Sequence, residues 1–189
     1  MNKYLPLNTN LEWLTYNTVL AAIPFWLALI LFKFYPKSKK INLLWFLGFI
    51  LYFLFLPNAP YVITDSMHLF NGNAISSGES YPQAFITVFT FVIISTFLFI
   101  RSYKLYEDFF KSRFKIDIGL LRLISFFAIS VGIYLGRFVR LNSWDAIIHP
   151  IKTILSLSSL LSVKAIVYVF LFTNLLMFIF FLYDRFERK

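Results

Sequence analysis

Residues 163–183 have the sequence VKAIVYVFLFTNLLMFIFFLY, in which Lys164 is the single charged residue. About 20 consecutive apolar residues are enough for a helix to cross a hydrocarbon core of roughly 30 Å. The backbone of a segment inside lipid must satisfy its own hydrogen bonds, and a helix does so. The stretch therefore predicts a membrane-spanning helix.

Four further apolar runs precede this segment, at residues 17–32, 41–56, 84–100 and 118–139. The whole chain is 59% hydrophobic and 14% charged, whereas soluble domains are typically about 45–50% apolar and about 25% charged. No low-complexity linker divides the runs. The sequence predicts an all-α, polytopic membrane bundle of five transmembrane helices in a single domain over residues 1–189.

The partly apolar stretch from Trp144 to Ser162 is the remaining candidate for a span. It contains Asp145, His149 and Lys152, and each of these is costly at the centre of a bilayer. Its isoleucines and leucines recur at helical spacing. We therefore predict an outer helical connector that is interfacial or re-entrant, not a sixth span.

The positive charges are distributed unevenly between the two sides of a five-span chain. One side carries twelve of the eighteen basic residues, namely Lys33, Lys37, Lys39, Lys40, Arg101, Lys104, Lys111, Arg113, Lys115, Arg185, Arg188 and Lys189. Because cytoplasmic segments are enriched in Lys and Arg, this side is predicted to be cytoplasmic. The N-terminus is then outside the plasma membrane and the C-terminus is inside. Arg122, one turn inside its span, is expected to snorkel to the cytoplasmic side.

The same distribution bears on partners and cofactors. The net charge of +9 marks the cytoplasmic face, so anionic lipids are the expected partners there and nucleic acid is not. The chain has no cysteine, which excludes disulfides, thiolate metal sites and cysteine nucleophiles. Because it also lacks nucleotide-binding and zinc-protease motifs, we expect no cofactor, and no reaction is indicated.

Two polar segments are predicted to lie on the outer side. The first is LPNAPYVITDSMHL at residues 56–69, and the second is GIYLGRFVRLNSWD at residues 132–145. Both segments resemble the signature segments of the bacterial Domain of Unknown Function 1361 family. The resemblance implies a multi-pass bacterial membrane protein and brings no known activity, substrate or cofactor. Leu141 departs from the family pattern, in which an aromatic residue is expected.

The prolines of the first segment are expected to interrupt the second span. Pro60 lacks an amide hydrogen and disfavours helix at Ala59. Either the helix simply stops at the interface, or the following segment dips into the protein and carries Tyr61, Asp65 and His68 into a pocket.

Aspartate and histidine occur together in both regions. Asp65 and His68 are three residues apart, and Asp145 and His149 are four apart, so on helices each pair shares one face. Carboxylate and imidazole suit Zn, Fe or Mn, which makes these four residues an alternative metal site. The same side chains would also serve proton transfer by His68 or simple charge balance.

Arg137 and Arg140 lie near the outer end of the fourth span, against the overall charge bias. An arginine at this depth needs a partner or a water-filled cavity. Asp65 and Asp145 are the nearest carboxylates by topology. The arginines therefore form an Arg–Asp clamp, line a basic pocket for an anionic ligand, or snorkel.

Small and polar residues within the spans predict helix contacts. Gly132 and Gly136 allow a close neighbour, which we expect to be internal to the chain, although a second subunit would also fit. Asn174, in the middle of the fifth span, is expected to form a hydrogen bond to another helix.

These observations predict that the two polar segments converge on one outward-facing site. Its expected residues are Asn58, Tyr61, Asp65, His68, Arg137, Arg140, Asn142 and Asp145. The leading hypothesis is a membrane protein that binds an anionic or lipid-linked envelope molecule there. A non-catalytic accessory or structural subunit of a membrane complex is the second hypothesis, and a metal-assisted membrane enzyme ranks third.

Overall fold

A computed structural model describes residues 7–36, 40–66, 81–114 and 116–187 of the chain, and every described element is helical. The α-helices are α1 (Leu7–Ala28), α2 (Leu43–Phe55), α3 (Asn58–Tyr61), α4 (Tyr81–Phe114), α5 (Ile118–Tyr134), α6 (Asp145–Ile148), α7 (Pro150–Ser156) and α8 (Val163–Glu187). Wider π turns extend α1 over Leu29–Lys33 and α5 over Leu135–Val139. Tighter 3₁₀ turns follow α3 over Val62–Ser66 and α7 over Leu157–Leu161.

Five of the helical segments are long and apolar enough to cross a membrane. They are Leu14–Lys33, Leu43–Ser66, Pro82–Phe114, Ile118–Val139 and Val163–Glu187. The prediction of an all-α helical bundle with five spans is confirmed. Because successive spans alternate in direction, the bundle has two ends. The Asp65 end is where α2 and α5 finish, and the Arg122 end is the opposite one.

Helix α4 is much longer than the apolar run that predicted it. It extends over 34 residues, or about 51 Å at 1.5 Å per residue, and therefore exceeds the hydrocarbon core. The apolar run ends at Ile100, but the buried face continues through Tyr103, Tyr106 and Glu107. Because these positions recur at helical spacing, the basic segment after the third apolar run is a helix that keeps packing on the bundle.

Aromatic side chains fill the core near the Arg122 end. Phe32 forms an edge contact with Tyr52 at 5.0 Å between ring centroids, and Tyr103 packs on Phe126 at 4.7 Å. Helix α1 packs mainly against α4, and α5 packs mainly against α8. The Nε1 of Trp45 donates a hydrogen bond to the Leu31 carbonyl at 3.0 Å, which ties the start of α2 to the end of α1.

The chain does not leave the bundle at the prolines that follow α2. Ala59, Pro60 and Val62 are buried, so the segment from Pro57 to Ser66 folds into the interior as short helical turns. A Cβ at Gly132 would lie 2.7 Å from the Pro57 Cγ, and only a residue without a side chain allows this approach. The Gly-x-x-x-Gly pair of α5 therefore packs against a neighbour within the chain, as predicted.

The expectation for Asn174 is wrong. Its Nδ2 donates to the Phe170 carbonyl of its own helix at 2.7 Å, and the side chain is exposed. Its neighbour Thr173 makes the contact between helices, since its hydroxyl lies 3.1 Å from that of Ser130 on α5. Successive side chains on a helix point about 100° apart. Thr173 therefore faces α5, while Asn174 faces away from it.

The connector between α5 and α8 is helical, as predicted, and has an exposed apolar surface. That surface comprises Ile147, Ile148, Ile151, Ile154, Leu155, Leu157 and Leu161. Its location at the membrane interface remains a prediction.

Candidate ligand site between α1, α2 and α5

Asp65 is the centre of a buried polar cluster at the Asp65 end. The 3₁₀ turn after α3 places its carboxylate inside the bundle, where the residue is 1% exposed. Arg137 Nη1 donates to Oδ1 at 3.1 Å, and Asn17 Nδ2 donates to Oδ2 at 3.2 Å. Side chains from α1, from the turn and from the end of α5 therefore meet at one carboxylate. The predicted pairing of Asp65 with one of the two arginines is present.

The π turn at the end of α5 sets the direction of Arg137. A π turn inserts one extra residue into the helical ladder and rotates the residues that follow. The Arg137 guanidinium lies 5.8 Å from the centre of the Tyr61 ring. Gly136 leaves room for that ring, because a Cβ there would be 3.6 Å from Tyr61 Cε2. Arg137 is thus held between a carboxylate and an aromatic face.

Arg140 takes a different role from Arg137. It ends the π turn in the left-handed conformation, at φ 60° and ψ 40°, which is uncommon for a residue with a side chain. Its side chain is exposed, and it forms no ion pair with a carboxylate in the described part of the chain. The predicted clamp is therefore made by Arg137 alone, because the left-handed turn separates Arg140 from the helix face that carries Arg137.

Asp145 forms a hydrogen bond within its own turn. Its Oδ2 accepts from the backbone N–H of Asn142 at 2.6 Å, which closes the turn before α6. A second link joins the two polar segments, since Asn58 Nδ2 donates to Ser143 Oγ at 2.8 Å. The convergence of the segments thus includes the Asp65–Arg137 ion pair and the Asn58–Ser143 hydrogen bond, besides the packing of Tyr61 against Arg137. His68 lies outside the described residues.

A cavity of about 380 Å³ lies beside this cluster, between α1, α2 and α5. Its polar and aromatic lining is Tyr16, Asn17, Phe53, Asn58, Tyr61, Asn142, Ser143, Trp144 and Thr153. Its other lining residues are Leu20, Leu54, Pro57, Ala128, Val131, Gly132, Ile133, Leu135, Gly136, Leu141 and Ala146. None of the described residues that line it carries a formal charge.

The cavity includes some of the residues predicted for the site and omits others. Asn58, Tyr61 and Asn142 line it, whereas Asp65, Arg137, Arg140 and Asp145 are not among the lining residues. Asn17, which sequence reasoning missed, both lines the cavity and binds Asp65. An amide early in the first span is a signal for such a contact, because a buried amide needs partners.

The family model for a protein of unknown function, DUF1361, matches residues 16–179. The chain belongs to the DUF1361 family. The expected family membership is therefore confirmed, and the matched region contains every residue that lines the cavity. Comparison with curated proteins and with solved structures gives no match.

The metal hypothesis gains no geometric support in this DUF1361 protein. Among the described residues, no three His, Asp or Glu side chains lie close enough together to hold an ion. Asp145 is engaged in its own turn, and His149 is exposed at the break between α6 and α7. The hypothetical ligand set with His68 falls partly outside the described residues.

The Arg122 end of this DUF1361 bundle holds an ionic network that the sequence did not reveal. Arg122 Nε and Nη2 bind both oxygens of Glu107, at 2.6 and 2.9 Å. The same guanidinium binds Asp184 on α8, with Nη1 2.5 Å from Oδ2. Lys104 Nζ lies 3.0 Å from Glu107 Oε1. Arg122 therefore links three helices, and its snorkelling to the cytoplasmic surface stays a prediction.

Proposed function

We propose that this protein binds a lipid-linked, amphiphilic molecule in the cavity between α1, α2 and α5. The observation that carries the proposal is that polar and aliphatic residues line different parts of the cavity. The amides and hydroxyls of its lining belong to residues near the Asp65 end, such as Asn58 and Ser143, whereas lining residues deeper in α5, such as Ala128, are aliphatic. An amphiphile has the same division between head and chain. A volume of about 380 Å³ lies within the roughly 300–1,000 Å³ of small-molecule sites.

The position of Ala128 supports access from the side of the bundle. Ala128 lines the cavity and is exposed. It lies nine residues before Arg137, or about 14 Å along α5, which is deep within a segment long enough to span a membrane. An opening at that depth meets lipid tails, so a chain-bearing ligand reaches the cavity without crossing water.

An accessory or structural role is the second candidate, and a specific observation favours it. The buried carboxylates at both ends are paired with arginines, and Asp65 and Glu107 are 1% and 3% exposed. Charges arranged in this way hold helices together and need no ligand. The cavity is what distinguishes the two candidates, because a purely structural bundle has no use for it.

To test the proposal, Ala128→Trp is compared with Phe127→Trp after purification in lipid nanodiscs. The indole introduced at position 128 would fill the cavity, whereas position 127 faces outward and is already aromatic and exposed. We expect the unmodified protein and Phe127→Trp to retain a lipid-linked molecule detectable by native mass spectrometry. Ala128→Trp should lose most of it while giving the same helical circular dichroism. Equal retention by both variants would contradict the proposal.

We also propose that the Asp65 end faces outward in a bacterial plasma membrane, with the N-terminus outside and the C-terminus in the cytoplasm. The excess of basic residues at the Arg122 end supports this orientation. Because the chain has no cysteine, Ser158→Cys and Ser112→Cys report cleanly on the two ends, and both serines are exposed. An impermeant thiol reagent applied to intact cells should label only Ser158→Cys. Labelling of only Ser112→Cys would invert the orientation.

A further inference from the structure

We infer that the head of the ligand is uncharged and bears hydroxyl or amide groups, as in a lipid whose head is a sugar. This inference rests on the proposed function, that the cavity holds an amphiphile. It specifies which amphiphile is accepted by the polar wall of the cavity, which we define as Asn17, Asn58, Tyr61, Asn142 and Ser143.

The first step concerns the charge of the polar wall. Its described lining contains amides, hydroxyls and aromatic rings, with no carboxylate, ammonium or guanidinium. The charged groups beside it are already paired, because Arg137 and Asp65 neutralise each other and Asp65 is 1% exposed. A phosphate placed against this wall would be removed from water without a counter-charge, which is costly.

Arg140 does not change this conclusion. It is exposed and is not one of the residues that line the cavity. Its backbone is fixed in the left-handed conformation, and the two residues that follow it, Leu141 and Asn142, line the cavity instead. An anionic group that used Arg140 would therefore lie outside the cavity.

The second step concerns hydrogen-bonding capacity. Asn17 and Asn58 each use one N–H within the protein, so the second N–H of each amide can donate to a ligand and each Oδ1 can accept from it. The Tyr61 hydroxyl forms no hydrogen bond to another described residue, and it can donate or accept. Acceptors and a hydroxyl in one wall match a head that carries several hydroxyls or amides.

The third step concerns shape. Tyr16, Tyr61 and Trp144 place aromatic rings around the same wall. Rings present flat apolar faces beside polar edges, and the C–H faces of a sugar ring are apolar while its edges carry hydroxyls. A pocket that combines rings with amides fits such a head better than it fits a compact phosphate.

The test uses two photoactivatable probes with identical diacyl chains in phosphatidylcholine vesicles that contain the full-length protein. One probe is monoglucosyl diacylglycerol, and the other is phosphatidylglycerol, whose head also has hydroxyls but carries a negative charge. We expect the glucosyl probe to label peptides that contain Asn58 or Asn142 roughly tenfold more than phosphatidylglycerol, the ratio for one buried polar group left unpaired.

Two substitutions test whether the labelling ratio depends on the polar wall of the cavity. Asn58→Leu removes the amide, so the preference should fall to about parity, roughly a tenfold loss. Asn174→Leu removes an exposed amide that bonds to its own helix, and it should leave the ratio unchanged. The ratio in the unmodified protein is decisive even where Asn58→Leu fails to fold.

The outcomes separate this inference from the proposed function. Equal or preferential labelling by phosphatidylglycerol would overturn the uncharged head and leave the amphiphile site intact. Labelling by neither probe above the level of Ala128→Trp would overturn both.

Discussion

Arg122→Met is expected to destabilise the bundle severely. The guanidinium binds Glu107 and Asp184 together, and Glu107 is 3% exposed. Its removal takes away the guanidinium that joins two carboxylates on different helices and leaves them facing the Lys104 ammonium, 3.0 Å from Glu107 and 3.8 Å from Asp184. Breaking a buried ion pair by deleting one partner typically costs about 3–5 kcal/mol. We expect a loss of unfolding free energy in that range, because methionine replaces the volume of the side chain but not its charge.

The measurement is the free energy of unfolding, or the melting temperature, in one detergent. Lys111→Met is the matched control, since Lys111 is a basic, exposed residue at the same end of the bundle. Arg122→Lys should fall between the two, because an ammonium keeps the charge but cannot bind two carboxylates as a planar fork. Equal stability of Arg122→Met and Lys111→Met would show that the network contributes nothing.

The spans could be predicted from the sequence because hydropathy and length alone determine whether a helix can cross lipid. Hydropathy and length could not predict the extension of α4 past Ile100, because this part of the helix is polar and is held by its packing against the bundle. Its buried face, with Tyr103 and Tyr106 against the core, is visible only as helical spacing beyond the apolar run. A search for periodicity as well as hydropathy would have found it.

One part of the candidate site, its ion pair, was predictable because a buried charge requires a counter-charge. That requirement identified Asp65 and an arginine of the second polar segment as partners. It did not choose Arg137 over Arg140, because the choice depends on a π turn and a left-handed residue. Nor did it find Glu107 and Asp184, since their distance from Arg122 along the chain gave no local pattern.

The second large effect is expected for the Asp65–Arg137 pair, where a double-mutant cycle separates pairing from burial. Asp65→Leu removes the carboxylate that the Arg137 guanidinium binds, and Arg137→Met removes the cation from a carboxylate that is 1% exposed. Each should cost about 3–5 kcal/mol. Asp145→Leu is the control, because that carboxylate caps a turn and should cost about 1 kcal/mol.

The double variant Asp65→Leu/Arg137→Met should be more stable than either single variant, since two apolar side chains leave no unpaired charge behind. Some cost should remain, because Asn17 Nδ2 loses the oxygen that accepts its hydrogen bond. Melting temperatures of all four proteins in the same nanodiscs give the coupling energy. If the two single effects simply add, the contact of 3.1 Å does not stabilise the bundle. The convergence of the polar segments would then rest on their other contacts, such as Asn58–Ser143 and Pro57–Gly132.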